Sequence, residues 1–223
     1  MAQAGEKAPK GKREAAVEAR REKVLAAAER LFLQKGYSAT STRDIARAAG
    51  VPQGNLFNLF GTKEKIFDIV IERHAPTGEM EHVVALFGSP EFPGNFKEIL
   101  RALRDLIDRN MTFVRLSDID GVEFSGRKTL GVMMEGYGRV YLPLMELYRE
   151  HLARGLVRPF NPDIALPILG ISLMAVFVVR HRFNTPALIG DLAVDEERIL
   201  TEMADMILLG LLPRNDPAKG GAR

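Results

Sequence analysis

Residues Glu22 to Glu72 read EKVLAAAERLFLQKGYSATSTRDIARAAGVPQGNLFNLFGTKEKIFDIVIE and carry four helical signatures in one short run. Val24, Leu25, Ala28, Leu31 and Phe32 recur at i, i+1, i+4, i+7 and i+8, one face of a helix, and Gly36 supplies its left-handed stop. Ser41 and Asp44 have the spacing of a capping box, which opens a second helix with Ile45, Ala46 and Ala49 inward and Gly50 at its end. Pro52 stands where a helix can restart, because its missing N–H costs nothing in a first turn. Leu56 and Phe60 then turn inward before Gly61, and Thr62 caps a fourth helix with Ile66, Phe67, Ile69 and Val70 on its buried face.

The rest of the chain is also read as helical. Asn95 and Glu98 repeat the capping spacing ahead of Phe96, Ile99, Leu100, Leu103, Leu106, Ile107, Met111 and Val114. A loop is expected through Asp118, Asp120 and Gly121, then a helix from Ser125 to about Gly136, a break near Gly138, and a helix begun or kinked at Pro143. Asn161-Pro162 pairs an N-cap with proline at the first helical position, and Asp195, Glu196 and Glu197 place negative charge at the start of a last helix running to Leu212. No strand alternation and no repeat stand out. The expected fold is all-α with about nine or ten helices: a flexible basic arm (1–17), a front domain (18–77), a larger helical domain (78–213) and a disordered tail (214–223).

Composition narrows the chemistry. The 223 residues hold 31 Lys and Arg against 29 Asp and Glu, yet the sequence up to Ala75 carries +5 and the remainder −3. A basic front on a mildly acidic body points to a polyanionic partner. The absence of Cys excludes disulfides, thiolate metal sites and a cysteine nucleophile, and fits a cytoplasmic location. The most apolar run, Ile164 to Val179, covers 16 residues including Pro167, short of the roughly 18–20 that span a bilayer, so no membrane segment is expected.

Two short helices joined by a tight glycine-bearing turn, within 41–60, have the dimensions of a helix-turn-helix. The amino end of the first offers Thr42 and Arg43 to a phosphate. The second leaves Gln53, Gly54, Asn55, Phe57, Asn58 and Leu59 to face a groove: amides pair with base edges, and Phe or Leu touch a thymine methyl. Lys63 and Lys65 are candidates to clamp a second phosphate, and the basic residues of the amino-terminal arm for further ones.

With these residues the front of the chain resembles the TetR family of bacterial transcriptional regulators. The likeness rests on Gly36-Tyr37, Thr40-Ser41, Ile45-Ala46, Ala49-Gly50-Val51, Gly54-Asn55-Leu56-Phe57 and Phe60-Gly61-Thr62-Lys63. It covers the first third of the chain. Phe57 stands where the family usually has Tyr, and Leu59 where it often has His, so hydrogen-bonding weight shifts to Gln53, Asn55, Asn58 and the flanking cations. Leu59 also has a second reading, as packing for the small core.

The resemblance implies a DNA operator, a homodimer formed through the last two long helices, and a small effector in the second domain. Dimer candidates are Leu166, Leu169, Leu173, Met203, Ile207 and Leu211. Effector candidates are Leu103, Ile107, Met111, Met133, Met134, Tyr137, Tyr141, Met145, Met174 and Phe177, a methionine-rich set suited to a hydrophobic or amphipathic molecule. A repressor released by that molecule is the expectation; a co-repressor ligand, an activator or a helical interaction scaffold are the alternatives. No cofactor, metal or catalytic residue is expected: His74, His82, His151 and His181 are scattered, and no nucleotide-binding or hydrolase motif occurs.

Overall fold

A computed structural model describes residues 10–76, 78–183 and 196–213. Within them are ten helices and no strand: α1 (Lys10–Lys35), α2 (Thr42–Ala49), α3 (Gln53–Phe60), α4 (Lys63–His74), α5 (Met80–Phe87), α6 (Phe96–Arg109), α7 (Met111–Phe124), α8 (Arg127–Ala153), α9 (Pro162–Phe183) and α10 (Glu196–Leu211). The all-α expectation holds. Residues 1–9 of the expected arm and the tail 214–223 lie outside the described residues, as does Asp195. The helix α1 starts inside the stretch expected to be a flexible arm. Glu14, Ala15, Ala16, Glu18 and Ala19 are strong helix formers and extend the amphipathic turns amino-terminally.

Three further expectations change. The loop anticipated through Asp118, Asp120 and Gly121 is the second half of α7. No break falls at Gly138, and Pro143 sits inside one 27-residue helix, α8. The segment 80–87, unassigned from sequence, is α5, a short run whose Val83 and Val84 are buried. The Asn95 side chain is not a cap; its Nδ2 donates to the Leu86 carbonyl at 2.8 Å.

The chain forms two compact units. One takes in the chain to Ala75 together with Thr112–Val132. Its core joins Leu25 and Phe32 of α1, Ile45 of α2, Leu56 of α3, Ile66, Phe67 and Ile71 of α4, and Leu116 of α7, each no more than 1% exposed. Tyr37, Phe67 and Phe124 stack around Phe32 with ring centroids 4.8–5.6 Å apart. Two polar ties hold the α7–α8 turn to α1 and α4. Ser38 donates to Glu123 through its N–H at 3.1 Å and its hydroxyl at 2.6 Å, and Lys128 reaches Glu64 at 2.8 Å and Asp68 at 2.5 Å. Burial of most of the Lys128 chain, with its ammonium 4.4 Å from the Phe124 ring centre, removes water that would screen this pair.

The other unit is organised around α6. Phe96, Ile99, Leu100, Leu103, Leu106 and Ile107 are buried along one stripe, against which α5, α9 and α10 pack. Arg101 of α6 holds Glu197 of α10 bidentately, at 3.0 and 2.6 Å. Asn161 caps α9 as expected, its Oδ1 accepting from the Asp163 N–H at 3.1 Å.

Candidate nucleic-acid interface

The helix-turn-helix is built by its caps. The Ser41 hydroxyl accepts from the Asp44 N–H at 3.1 Å, and the Asp44 carboxylate accepts from the Ser41 N–H at 3.2 Å, so the capping box forms as its spacing requires. Lys35 adds an ammonium 2.9 Å from the same carboxylate. These three contacts hold the Asp44 carboxyl well below the usual carboxylate range, with the Lys35 bond the largest cause. At the other end of α2, Gly50 adopts φ +66°, the Gly50 N–H donates to Arg47 O and the Val51 N–H to Ala46 O. That is a Schellman ending, and it sets the direction in which α3 begins.

On α3, Leu56 and Phe60 are buried while Gln53, Gly54, Phe57 and Asn58 are exposed and Asn55 is half-buried. The structure therefore gathers most of the expected recognition residues on one outward side of a two-turn helix. Phe57, 48% exposed, is a large aromatic side chain without a core to fill. A Cβ added at Gly54 would meet nothing within 4 Å, so this position leaves the backbone open to close approach. Gln53 Nε2 donates to Thr42 Oγ1 at 3.2 Å and ties the first turn of α3 to the first turn of α2.

Three expected contacts sit differently. Leu59 is half-buried and packs on the front core, in line with its second reading. Lys63 donates from Nζ to the carbonyls of Tyr37 and Thr40, both at 2.9 Å, with its ammonium 3.9 Å from the Tyr37 ring centre. Burial pushes its pKa down, and the cation closes the α1–α2 loop instead of standing on the outer face. Lys65 and Arg43 remain exposed. Sequence reading passed over Arg47, which is exposed one turn after Arg43 and lies 3.8 Å from Asp44; its i, i+4 spacing from Arg43 was the available signal.

In the α6-centred unit the effector candidates do not converge. Leu103, Ile107 and Phe177 are core, Met111, Tyr141, Met145 and Met174 are half-buried, and Met133 and Met134 are 57% and 51% exposed. The unbroken course of α8 places those two methionines outward, which corrects the expectation of an inward cluster. The Tyr137 side chain lies outside the described residues. A groove of about 690 Å³ runs instead between α5 and α8, floored by Val84, Gly88, Pro143 and Leu147, with Arg139 and Glu81 paired at 3.7 Å on its rim.

The dimer candidates also need correction. Leu173 is buried against the chain's own core, and Leu166, Leu169, Met203, Ile207 and Leu211 are half-buried. The residues turned outward are Ile164, Ile168 and Ile171 on α9 and Met206 and Leu209 on α10. A helix apolar on all sides gives no periodic signal to tell the inner face from the outer. The apolar run of α9, counted from Pro162 to Val179, reaches 18 residues at a mean hydropathy of 2.1, so by length and composition it is sufficient to cross a bilayer, contrary to the shorter count.

Comparison with known proteins agrees with this construction. Residues 24–70 match the family model of bacterial regulatory proteins, tetR family. The chain is 37% identical over 84 residues to the HTH-type transcriptional regulator AcrR of Shigella flexneri and 37% identical over 65 residues to the HTH-type transcriptional regulator HbdR of an Aromatoleum species. These alignments cover 37% and 29% of this chain and 37% and 28% of the relatives, so the shared sequence is confined to well under half of each. The fold likeness is wider. The crystal structure of NalD, secondary repressor of the MexAB-OprM multidrug efflux pump in Pseudomonas aeruginosa, superposes with a TM-score of 0.60 at 23% identity, covering 90% of this chain and 99% of that one. Motif residues, capped helix-turn-helix and whole-chain fold agree, and the chain belongs to the TetR family of bacterial transcriptional regulators.

Proposed function

We propose that this chain is a homodimeric, cytoplasmic repressor that binds a palindromic DNA operator through α3 and releases it when a hydrophobic or amphipathic small molecule occupies the second unit. It acts by binding, without catalysis and without a cofactor. The observation that carries the DNA reading is the division of α3: Leu56 and Phe60 fix it to the core, while Gln53, Gly54, Phe57 and Asn58 stand outward on a helix short enough to enter a major groove. Arg43, Arg47 and Lys65 are the exposed cations beside it that suit phosphate. Dimerisation is supported by the outward apolar side chains of α9 and α10, which water covers at a cost of about 25 cal/mol per Å². The repressor sign follows the name of the structural neighbour from Pseudomonas aeruginosa. Release by ligand is a population shift: a molecule that binds better to the conformer with mismatched half-site spacing withdraws the protein from DNA.

The test is selection of duplexes from a random-sequence library by the full chain, followed by titration of the enriched sequence. Specific, saturable enrichment of a twofold-symmetric site is expected. Asn58→Ala should lower its affinity by roughly 5- to 150-fold, the worth of one bidentate base contact of about 1–3 kcal/mol. Binding that is sequence-blind and lost by physiological salt defeats the proposal.

A further inference from the structure

The amino-terminal turns of α1 carry charge that the front core does not use. Core packing begins at Val24, and residues 14–20 are all exposed. By helical register the signs separate along these turns. Glu14, Glu18 and Glu22 fall at i, i+4 and i+8 on one edge. Arg13 and Arg20 share another strip, and Lys12 and Lys23 the strip beside it. The acidic edge is engaged within the chain: Glu18 lies 3.8 Å from Arg21, and Glu22 is held by both guanidinium nitrogens of Arg73. Arg20 and Lys23 are exposed and enter no ion pair among the described residues.

Arg21, between them, fixes where this basic edge lies. Its guanidinium donates to the Leu59 carbonyl at 3.1 Å and sits 4.7 Å from the centre of the Phe60 ring. Leu59 and Phe60 are the last two residues of α3. The basic edge thus starts beside the carboxyl end of the helix assigned to the major groove and continues away from the core as a preformed rod. From Lys10 to Arg20 it extends about 15 Å at 1.5 Å per residue, the length of roughly four base-pair steps.

We infer that this edge of α1 is a second DNA-binding surface, on which Arg20 and Lys23 engage the sugar–phosphate backbone flanking the base pairs met by α3. The inference rests on the DNA-binding reading above. It adds an element outside the helix-turn-helix, with contacts to backbone alone that carry no base preference. Because the element is helical before DNA arrives, it loses little conformational freedom on binding compared with a coil of equal charge.

The experiment uses the full chain and the duplex that it enriches from a random-sequence library, made in two lengths, one with about ten extra base pairs on each side and one trimmed to the selected core. Affinity is measured against salt for the unsubstituted chain and for the double variant Arg20→Gln with Lys23→Gln. Each lost phosphate contact removes about 0.9 from the slope of log K against log[salt], so on the long duplex the variant slope should be shallower by one to two. Trimming should have the same effect on the unsubstituted chain and little further effect on the variant. The conservative pair Arg20→Lys with Lys23→Arg should keep the original slope. An unchanged slope in a double variant with unaltered helical content and melting temperature overturns this surface while leaving the DNA reading intact. A slope lowered equally on both duplexes overturns its placement on the flank. If the unsubstituted chain enriches no duplex, the DNA reading falls and this surface with it.

Discussion

The helices α1 and α9 have similar lengths, 26 and 22 residues, and treat their apolar side chains in opposite ways. On α1 the apolar residues form a stripe, and Val24, Leu25, Ala28 and Phe32 are wholly covered by the chain's own α2, α3, α4 and α7. On α9 the apolar residues run all round. Leu173 and Phe177 are covered, while Ile164, Ile168 and Ile171 are left 58–70% exposed. A stripe can be closed within one chain; an all-round apolar helix cannot, unless other elements surround it. The front unit is therefore complete as a monomer, and α9 is complete only with something laid against its outer face.

The sharpest way to break that contrast is to charge both helices. On the homodimer reading, Ile168→Asp with Ile171→Asp places two unpaired carboxylates in the subunit interface, each costing several kcal/mol. Dissociation should rise by more than about a thousandfold, read by sedimentation, with helical content retained because both side chains already face outward. Persistence of the dimer would assign the interface elsewhere. The matching change in the front unit is Phe32→Ala, which empties the centre of the Tyr37–Phe67–Phe124 cluster. It should cost about 3–5 kcal/mol in denaturant unfolding and leave the oligomeric state alone. A loss under 1 kcal/mol would mean that the aromatic cluster is not the keystone of this unit.

The same two regions explain what can be read from sequence. The helix boundaries of 36–62 were legible because each is set by a local covalent device: Gly36 and Gly50 with positive φ, the Ser41–Asp44 box, and the Thr62 cap, whose hydroxyl accepts from Lys65 N at 3.0 Å. Most of α3's outward side followed from the burial of Leu56 and Phe60. In the second unit the signals were absent or misleading. Gly121, Gly138 and Pro143 read as breaks, yet α7 and α8 run through them, since tertiary packing overrides a propensity worth about 1 kcal/mol for glycine. The Lys63 assignment moved for a related reason: spacing places a cation beside the turn but cannot tell that two free carbonyls, Tyr37 and Thr40, lie closer than solvent.

A smaller test separates local devices from packing. Gly50→Ala keeps every core side chain but forces a Cβ into a left-handed residue, a strain of about 1–2 kcal/mol, though no atom lies within 4 Å of the added carbon. Stability should fall by that amount, and duplex affinity should fall with it if the turn sets the angle of α3. A variant as stable as the unsubstituted chain would show that the Schellman ending is not what orients the helix.

The weakest effect concerns pH. The Asp44 carboxyl has a lower pKa folded than unfolded because Lys35 and both the hydroxyl and the N–H of Ser41 bind its charged form. A depressed carboxyl pKa favours the folded state where the group is ionised in both states, and that contribution fades as pH falls from about 5 through the ordinary aspartate value near 4. The acid limb of the stability profile should accordingly be shallower in Asp44→Asn, which keeps the shape of the cap but has nothing to titrate. At neutral pH the variant should be the less stable of the two, and the two profiles should converge as the medium becomes acidic. The partner variant Lys35→Met isolates the ammonium: it should recover part of the Asp44→Asn flattening while leaving the Ser41 bonds in place. Parallel profiles for Asp44→Asn and the unsubstituted chain down to about pH 3 would assign the acid sensitivity of the front unit to its other ion-paired carboxylates, of which Glu22 and Glu64 are also held below their usual values, by Arg73 and Lys128.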